Sequence, residues 1–223
     1  MGKAVAFREG SMSLRTASRN IVPLIALTPG AAFVALAVLA GNPSPANAQD
    51  GAYVPEFTDE KTLKIPAGKI WREWPFVGSL VTPNALNGGE APFPEHHIVY
   101  IDPVSWEDYK KTGEFREGTV IAKELTRVRA PDGTNEDGST TEVSGTGYFM
   151  GEYSGFEITI KSKELYPDEP GNWAYYSFGH QPEPYNATAE RQPADACNAC
   201  HESNAAEDFV FTQFYPVLRA AKP

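Results

Sequence analysis

The chain has 223 residues and a formal charge of −10, with only two cysteines, which excludes a disulfide-built scaffold and disfavours nucleic acid or an anionic membrane as partner. Hydrophobic residues make up 41% of it, enough for a sizeable core.

Residues 1–48 read as an export signal. Arg15 and Arg19 precede an apolar run from Ile21 to Gly41, and "ANAQD" places Ala46 and Ala48 as the small residues of a cleavage site before Gln49. An uncleaved anchor is the alternative, since Ile21–Ala40 is nearly long enough to span a bilayer. Removing Lys3, Arg8, Glu9, Arg15 and Arg19 with this segment takes the charge from −10 to about −13. Residues 49–223 are expected to form one domain. Their acidity suits a basic redox partner or serves solubility alone.

Along that domain, "HIVYID" (97–102), "GTVIAKEL" (118–125), "GYFMGEY" (147–153), "FEITIKS" (156–162) and "NWAYYSFG" (172–179) are short and rich in β-branched and aromatic residues. They predict strands of an antiparallel sheet. "VSWEDYKKTG" after Pro103 predicts a short helix ending at Gly113. Residues 129–147 carry no apolar period and predict a mobile surface loop. "PADACNACHESNAAEDFVFTQFYPVLRAA" predicts C-terminal helical segments broken near Pro216. The fold class is therefore mainly β, α+β, with helices flanking an antiparallel sheet.

Both cysteines fall in that last segment, as Cys197-Asn-Ala-Cys200-His201. A zinc site would need a second ligand pair, which His96, His97 and His180 do not supply. A redox dithiol has no use for the adjacent histidine. One covalently attached haem c uses all three residues, two thioethers through Cys197 and Cys200 and an axial nitrogen from His201. Its attachment outside the cytoplasm agrees with the export signal and gives a periplasmic location. For the sixth iron position the sequence offers Met150, which reads as a packed core methionine, and His96 and His97, which read as surface or hydrogen-bonding residues. An open position is expected.

Two charged residues sit inside predicted strands. Alternation puts Ile121, Lys123 and Leu125 on one face of theirs, and Val120, Ala122 and Glu124 on the other. A lysine between two large aliphatics snorkels to solvent, finds a partner, or is modified. Glu157 lies with Thr159 and Lys161, opposite Phe156 and Ile158; from pattern alone it is a solvated glutamate.

"REWPFVGSLVTPNALNGGEAPF", "YIDPVSWEDYKKTGEFREGTVIAKEL", "GYFMGEYSGFEITIK", "EPGNWAYYSF", "CNACH" and "DFVFTQFYPVLRAAK" together resemble cytochrome P-460, a family of monohaem cytochromes that oxidise hydroxylamine. The resemblance covers most of residues 55–222 and weakens at 129–146 and in "GHQPEPYNATAERQP". It implies a homodimer, a lysine–haem crosslink at Lys123, a five-coordinate haem, and Glu157 as the distal proton acceptor, with Glu152 as rival in another register. It implies oxidation of hydroxylamine to nitrous oxide with nitric oxide as side product, and a redox partner such as a soluble c-type cytochrome. A nitric oxide or gas binder of the cytochrome c′-beta kind, without turnover, is the alternative.

Overall fold

The computed structural model describes residues 52–223, so the export-signal reading of residues 1–48 lies outside the described residues. In chain order the elements are β1 (Thr62–Lys64), a 3-10 stretch Ala67–Glu73, β2 (Phe76–Val81), β3 (His96–Ile101), α1 (Pro103–Thr112) and β4 (Val120–Val128). There follow β5 (Thr140–Glu142), β6 (Gly145–Gly147), β7 (Met150–Lys161), β8 (Trp173–Ser177), β9 (Thr188–Glu190), α2 (Asn198–Asn204) and α3 (Pro216–Ala221). The architecture is α+β. Strands β2-β3-β4-β7-β8 form a five-stranded sheet in that order, every neighbouring pair antiparallel.

The turn from β3 into α1 shows how local chemistry sets the frame. Asp102 caps α1 by accepting from Ser105 N at 2.9 Å, and its other carboxylate oxygen accepts from Val120 N at the start of β4 at 2.9 Å. Pro103 opens the helix and Gly113 closes it in the left-handed region, φ 73°.

Both faces of the sheet are covered, which is why β4 reads as nearly continuous burial. On one face Val120, Ala122, Phe156, Ile158 and Tyr176 pack with Trp71, Trp74 and Tyr166. On the other, Val99, Ile101, Ile121, Trp173 and Tyr175 meet Tyr109 of α1, Val210 and Tyr215, and Leu218 of α3. The predicted alternation of β4 therefore holds, with Ile121 on the second face and Val120 and Ala122 on the first. Gly78 permits the closure of the C-terminal segment onto β2, because a Cβ there would lie 2.8 Å from Tyr215 Cα.

Several expectations are corrected. The two strands expected at 147–153 and 156–162 are one strand, β7, with a register shift where Leu125 opposes Gly155 and Thr126 opposes Tyr153. Residues 129–147 are not all loop: β5 and β6 pair as a small ladder, joined by the Thr141 and Thr146 hydroxyls at 2.8 Å. Pro216 starts α3 rather than breaking a helix, its missing N–H falling where no intrahelical partner is needed. Met150 is 48% exposed, not core, because β7 begins beyond the packed body of the sheet.

Candidate functional site

The second face of the sheet carries the site, and strand register builds it. Lys123 of β4 and Glu157 of β7 are direct cross-strand partners. Lys123 Nζ lies 2.5 Å from Glu157 Oε2, each side chain about one quarter exposed. The second oxygen, Oε1, lies 2.9 Å from His180 Nε2. Phe93 completes the cluster: the Lys123 ammonium stands 4.8 Å over its ring, and the ring meets His97 edge-on at 5.7 Å and His180 at 6.2 Å.

The charges are tuned by this crowding. Burial works against ionisation of Glu157, but Lys123 and His180 outweigh it and hold the carboxyl at about 2. Hydrogen bonding to Glu157 raises His180 above the usual histidine value. Burial, aided by the nearby Lys123 cation, pushes His97 down to about 4, so its ring is neutral near pH 7. His97 Nε2 is buried without a hydrogen-bond partner, as is His96 Nε2. Of the surface or hydrogen-bonding role expected for these two histidines, the surface half is thereby corrected: β3 carries both inward, His97 on the face of Lys123 and His96, hydrogen-bonded to the Phe149 backbone, on the opposite one.

The C-terminal segment supplies the other half. Cys197 is the first residue before α2 and Cys200 stands one turn on; both are free thiols, Cys197 half-buried and Cys200 exposed. Burial raises the Cys197 thiol, and the Glu157 charge adds to this; His201 is lowered by burial and feels both Lys123 and Glu157. The two halves are thus within electrostatic reach.

His201 is held as an oriented ligand would be. Its Nδ1–H donates to the Phe209 carbonyl at 2.7 Å, leaving Nε2 as the nitrogen available to a metal. Tyr175 and Phe211 flank the ring at 4.5 and 4.6 Å. The accepting carbonyl comes from a turn in which Asp208 and Phe209 have φ of 42° and 62°, a conformation bulky side chains rarely adopt. Asp208 fixes that turn by accepting from Trp173 Nε1 at 3.2 Å and by pairing with Lys161. Gly171 makes room for it, since a Cβ there would meet the Phe209 ring at 2.4 Å.

Two thiols one helical turn apart, a histidine with its distal nitrogen directed by a backbone carbonyl, and a buried orphan imidazole nitrogen beside an ion pair fit a covalently attached haem. Among the described residues no three His, Cys, Asp or Glu side chains converge as a metal cage, so the zinc reading has no four-ligand set there. Glu152, the rival carboxylate, is exposed and enters no ion pair among the described residues. Sequence reasoning gave no role to His180 and Phe93. His180 follows the end of β8 after Gly179, φ 106°, where no periodicity operates.

An antiparallel sheet facing a Cys-x-x-Cys-His segment is an arrangement suited to a redox protein with a β scaffold rather than a helical one. The chain belongs to the cytochrome P460 family, whose model matches residues 68–212. No curated protein matches the chain. Among the described residues no helix is long and apolar enough to cross a membrane.

Proposed function

We propose that this chain is a periplasmic haem-dependent oxidoreductase that converts hydroxylamine to nitrous oxide, with nitric oxide as a side product. One haem c is attached through Cys197 and Cys200, ligated by His201 and tied once more by Lys123. The observation that carries the reading is the Lys123–Glu157 pair, set cross-strand on the face that Cys197 and His201 approach. Family membership supports it independently.

When bound, the haem supplies an iron position for the substrate nitrogen and a sink for its electrons. The rest falls to the chain. Met150, the one methionine after residue 48, is half exposed on the outer part of β7 and is no part of the Lys123–Glu157 cluster. Glu157 is the proton acceptor, and help of this kind is typically worth ~10² to 10⁴ in rate. Phe93 and the neutral His97 border the place where hydroxylamine binds. The chain acts as a homodimer and passes electrons to a basic partner such as a soluble c-type cytochrome, a pairing its net negative charge favours.

Gas binding without turnover, as in cytochrome c′-beta, requires neither the lysine nor the carboxylate, and here both are present as partners. Intact mass with peptide mapping separates the two. The expected product is a chain beginning at Gln49 with one haem, whose haem-bearing peptide contains Lys123 as well as Cys197 and Cys200. A Lys123 peptide recovered unmodified from active protein would refute the crosslink and leave the gas-binding reading.

A further inference from the structure

Two hydroxylamines converted to one nitrous oxide and one water release four protons and four electrons. An acceptor that is only 24% exposed must therefore be emptied repeatedly within each cycle. Both oxygens of Glu157 are engaged, and only one of the two partners leads outward. Lys123, on the central strand, is 23% exposed, and in the crosslinked form proposed above its nitrogen is bonded to the haem, so it offers no route to solvent. His180 has 44% of its side chain in solvent and bonds Glu157 Oε1 through Nε2 at 2.9 Å. The remaining histidine on this face, His97, has its Nε2 buried and without a partner, so it has no protein path to hand a proton along.

We propose that His180 is the proton exit of the site, taking each proton from Glu157 at Nε2 and releasing one to water from Nδ1. This rests on the hydroxylamine-oxidising role of Glu157 given above. The step is balanced within the chain: the carboxylic O–H breaks as Nε2–H forms, and Nδ1–H breaks as a water is protonated. Tautomer exchange through solvent then returns the neutral ring to its Nδ1–H form, with Nε2 free to accept again, and no electron moves. Phe93 flanks the ring at 6.2 Å, and 44% of the His180 side chain stays in solvent.

The charges facing His180 set the direction of its pH response. Glu157 and Glu95 raise it, whereas burial and Lys123 lower it; His97, across Phe93, is neutral near pH 7. The net result is a histidine above the ordinary 6.5. Below that raised value the ring is cationic and cannot take a proton, so the exit closes as pH falls.

The test uses holoprotein carrying His180→Gln or His180→Ala. Haem content and absorption spectrum should match wild type, kcat should fall at least about tenfold, and KM should stay within about twofold. A small non-coordinating buffer base, chosen because imidazole would itself ligate an open iron position, should restore turnover to His180→Ala, since His180 opens to solvent. Independently of activity, the His180 ring followed by NMR in labelled protein should titrate lower in Glu157→Gln than in wild type. Wild-type kcat and pH profile in His180→Gln, with Glu157→Gln slow, would overturn the exit and leave the role of Glu157 standing. Normal turnover in Glu157→Gln would instead overturn the functional reading beneath it. A slow His180→Ala that the non-coordinating buffer base does not restore, or a ring titration unmoved by Glu157→Gln, would assign His180 a structural role only. Should the His180 variants lose haem, the ring titration alone decides.

Discussion

The Lys123–Glu157 pair poses a chemical problem that charge substitution can resolve. With the Lys123 ammonium 2.5 Å away and His180 bonded to its other oxygen, both outweighing burial, Glu157 sits at about 2 instead of 4.5. That is roughly 300-fold weaker proton affinity, or about 3 kcal/mol favouring the ionised form. The sign follows from the lowered value: the pairing stabilises the fold fully above about 4.5, and this stabilisation is lost as pH falls through about 2. A carboxylate so strongly held is a poor base near neutral pH. A lysine nitrogen bonded to a conjugated ring carbon no longer carries the ammonium charge, so the proposed crosslink would free Glu157 to rise, because burial already pushes it upward. Lys123→Arg keeps a permanent cation without the crosslink, and Lys123→Leu removes both. The carboxyl stretch of Glu157, identified by its loss in Glu157→Gln, should titrate near 2 in Lys123→Arg and clearly higher in both Lys123→Leu and crosslinked wild type. The kcat/KM of Lys123→Arg at neutral pH should fall below that of Lys123→Leu, by up to ~10². Coincident carboxyl titrations in the two variants would refute the idea that the lysine charge governs the base.

Two further outcomes concern the scaffold. Arg72→Met leaves Glu124, wholly buried, without its bonds from Nε at 3.0 Å and Nη2 at 2.6 Å, so only Tyr185 OH at 3.1 Å remains. Urea denaturation should show a loss of about 3–5 kcal/mol with an unchanged haem spectrum, and a loss below about 1 kcal/mol would contradict it. Gly171→Ala drives a methyl into the Phe209 ring at a residue with φ 65°, displacing the carbonyl that orients His201. It should cost at least about 1–3 kcal/mol and alter the axial-ligand signature in electron paramagnetic resonance, whereas wild-type resonance would show that the turn does not position His201.

What the sequence disclosed follows from how each signal arises. Alternation along β4 and β7 was readable because the sheet buries different residues on its two faces, so Lys123 and Glu157 fell on the correct sides. Their contact was not readable from that pattern, since it depends on the register between strands separated by the 129–147 segment, and on the irregularity between Gly155 and Tyr153. β2 went unrecognised because Gly78 interrupts its apolar run, and that same glycine is where Tyr215 approaches. The Cys-x-x-Cys-His turn was legible without any fold, being local chemistry. The carbonyl of Phe209 was not, because a backbone acceptor leaves no residue signature.

The dipeptide Lys123-Glu124 shows most directly why neighbours in sequence mislead about charge. Opposite signs side by side suggest a pair, yet successive residues of a strand point to opposite faces. Glu124 enters the first face, fully buried, and is neutralised by Arg72 from the 3-10 stretch before β2. Lys123 enters the second face and is neutralised by Glu157 from β7. One strand thus carries two ion pairs with separate partners and separate consequences. Removing Arg72 strands a charge in a sealed core and is paid in stability, whereas removing Lys123 releases a carboxylate on the face that Cys197 and His201 approach. The central strand therefore divides scaffold from chemistry across its own thickness, and a substitution at residue 123 or 124 tests one without the other.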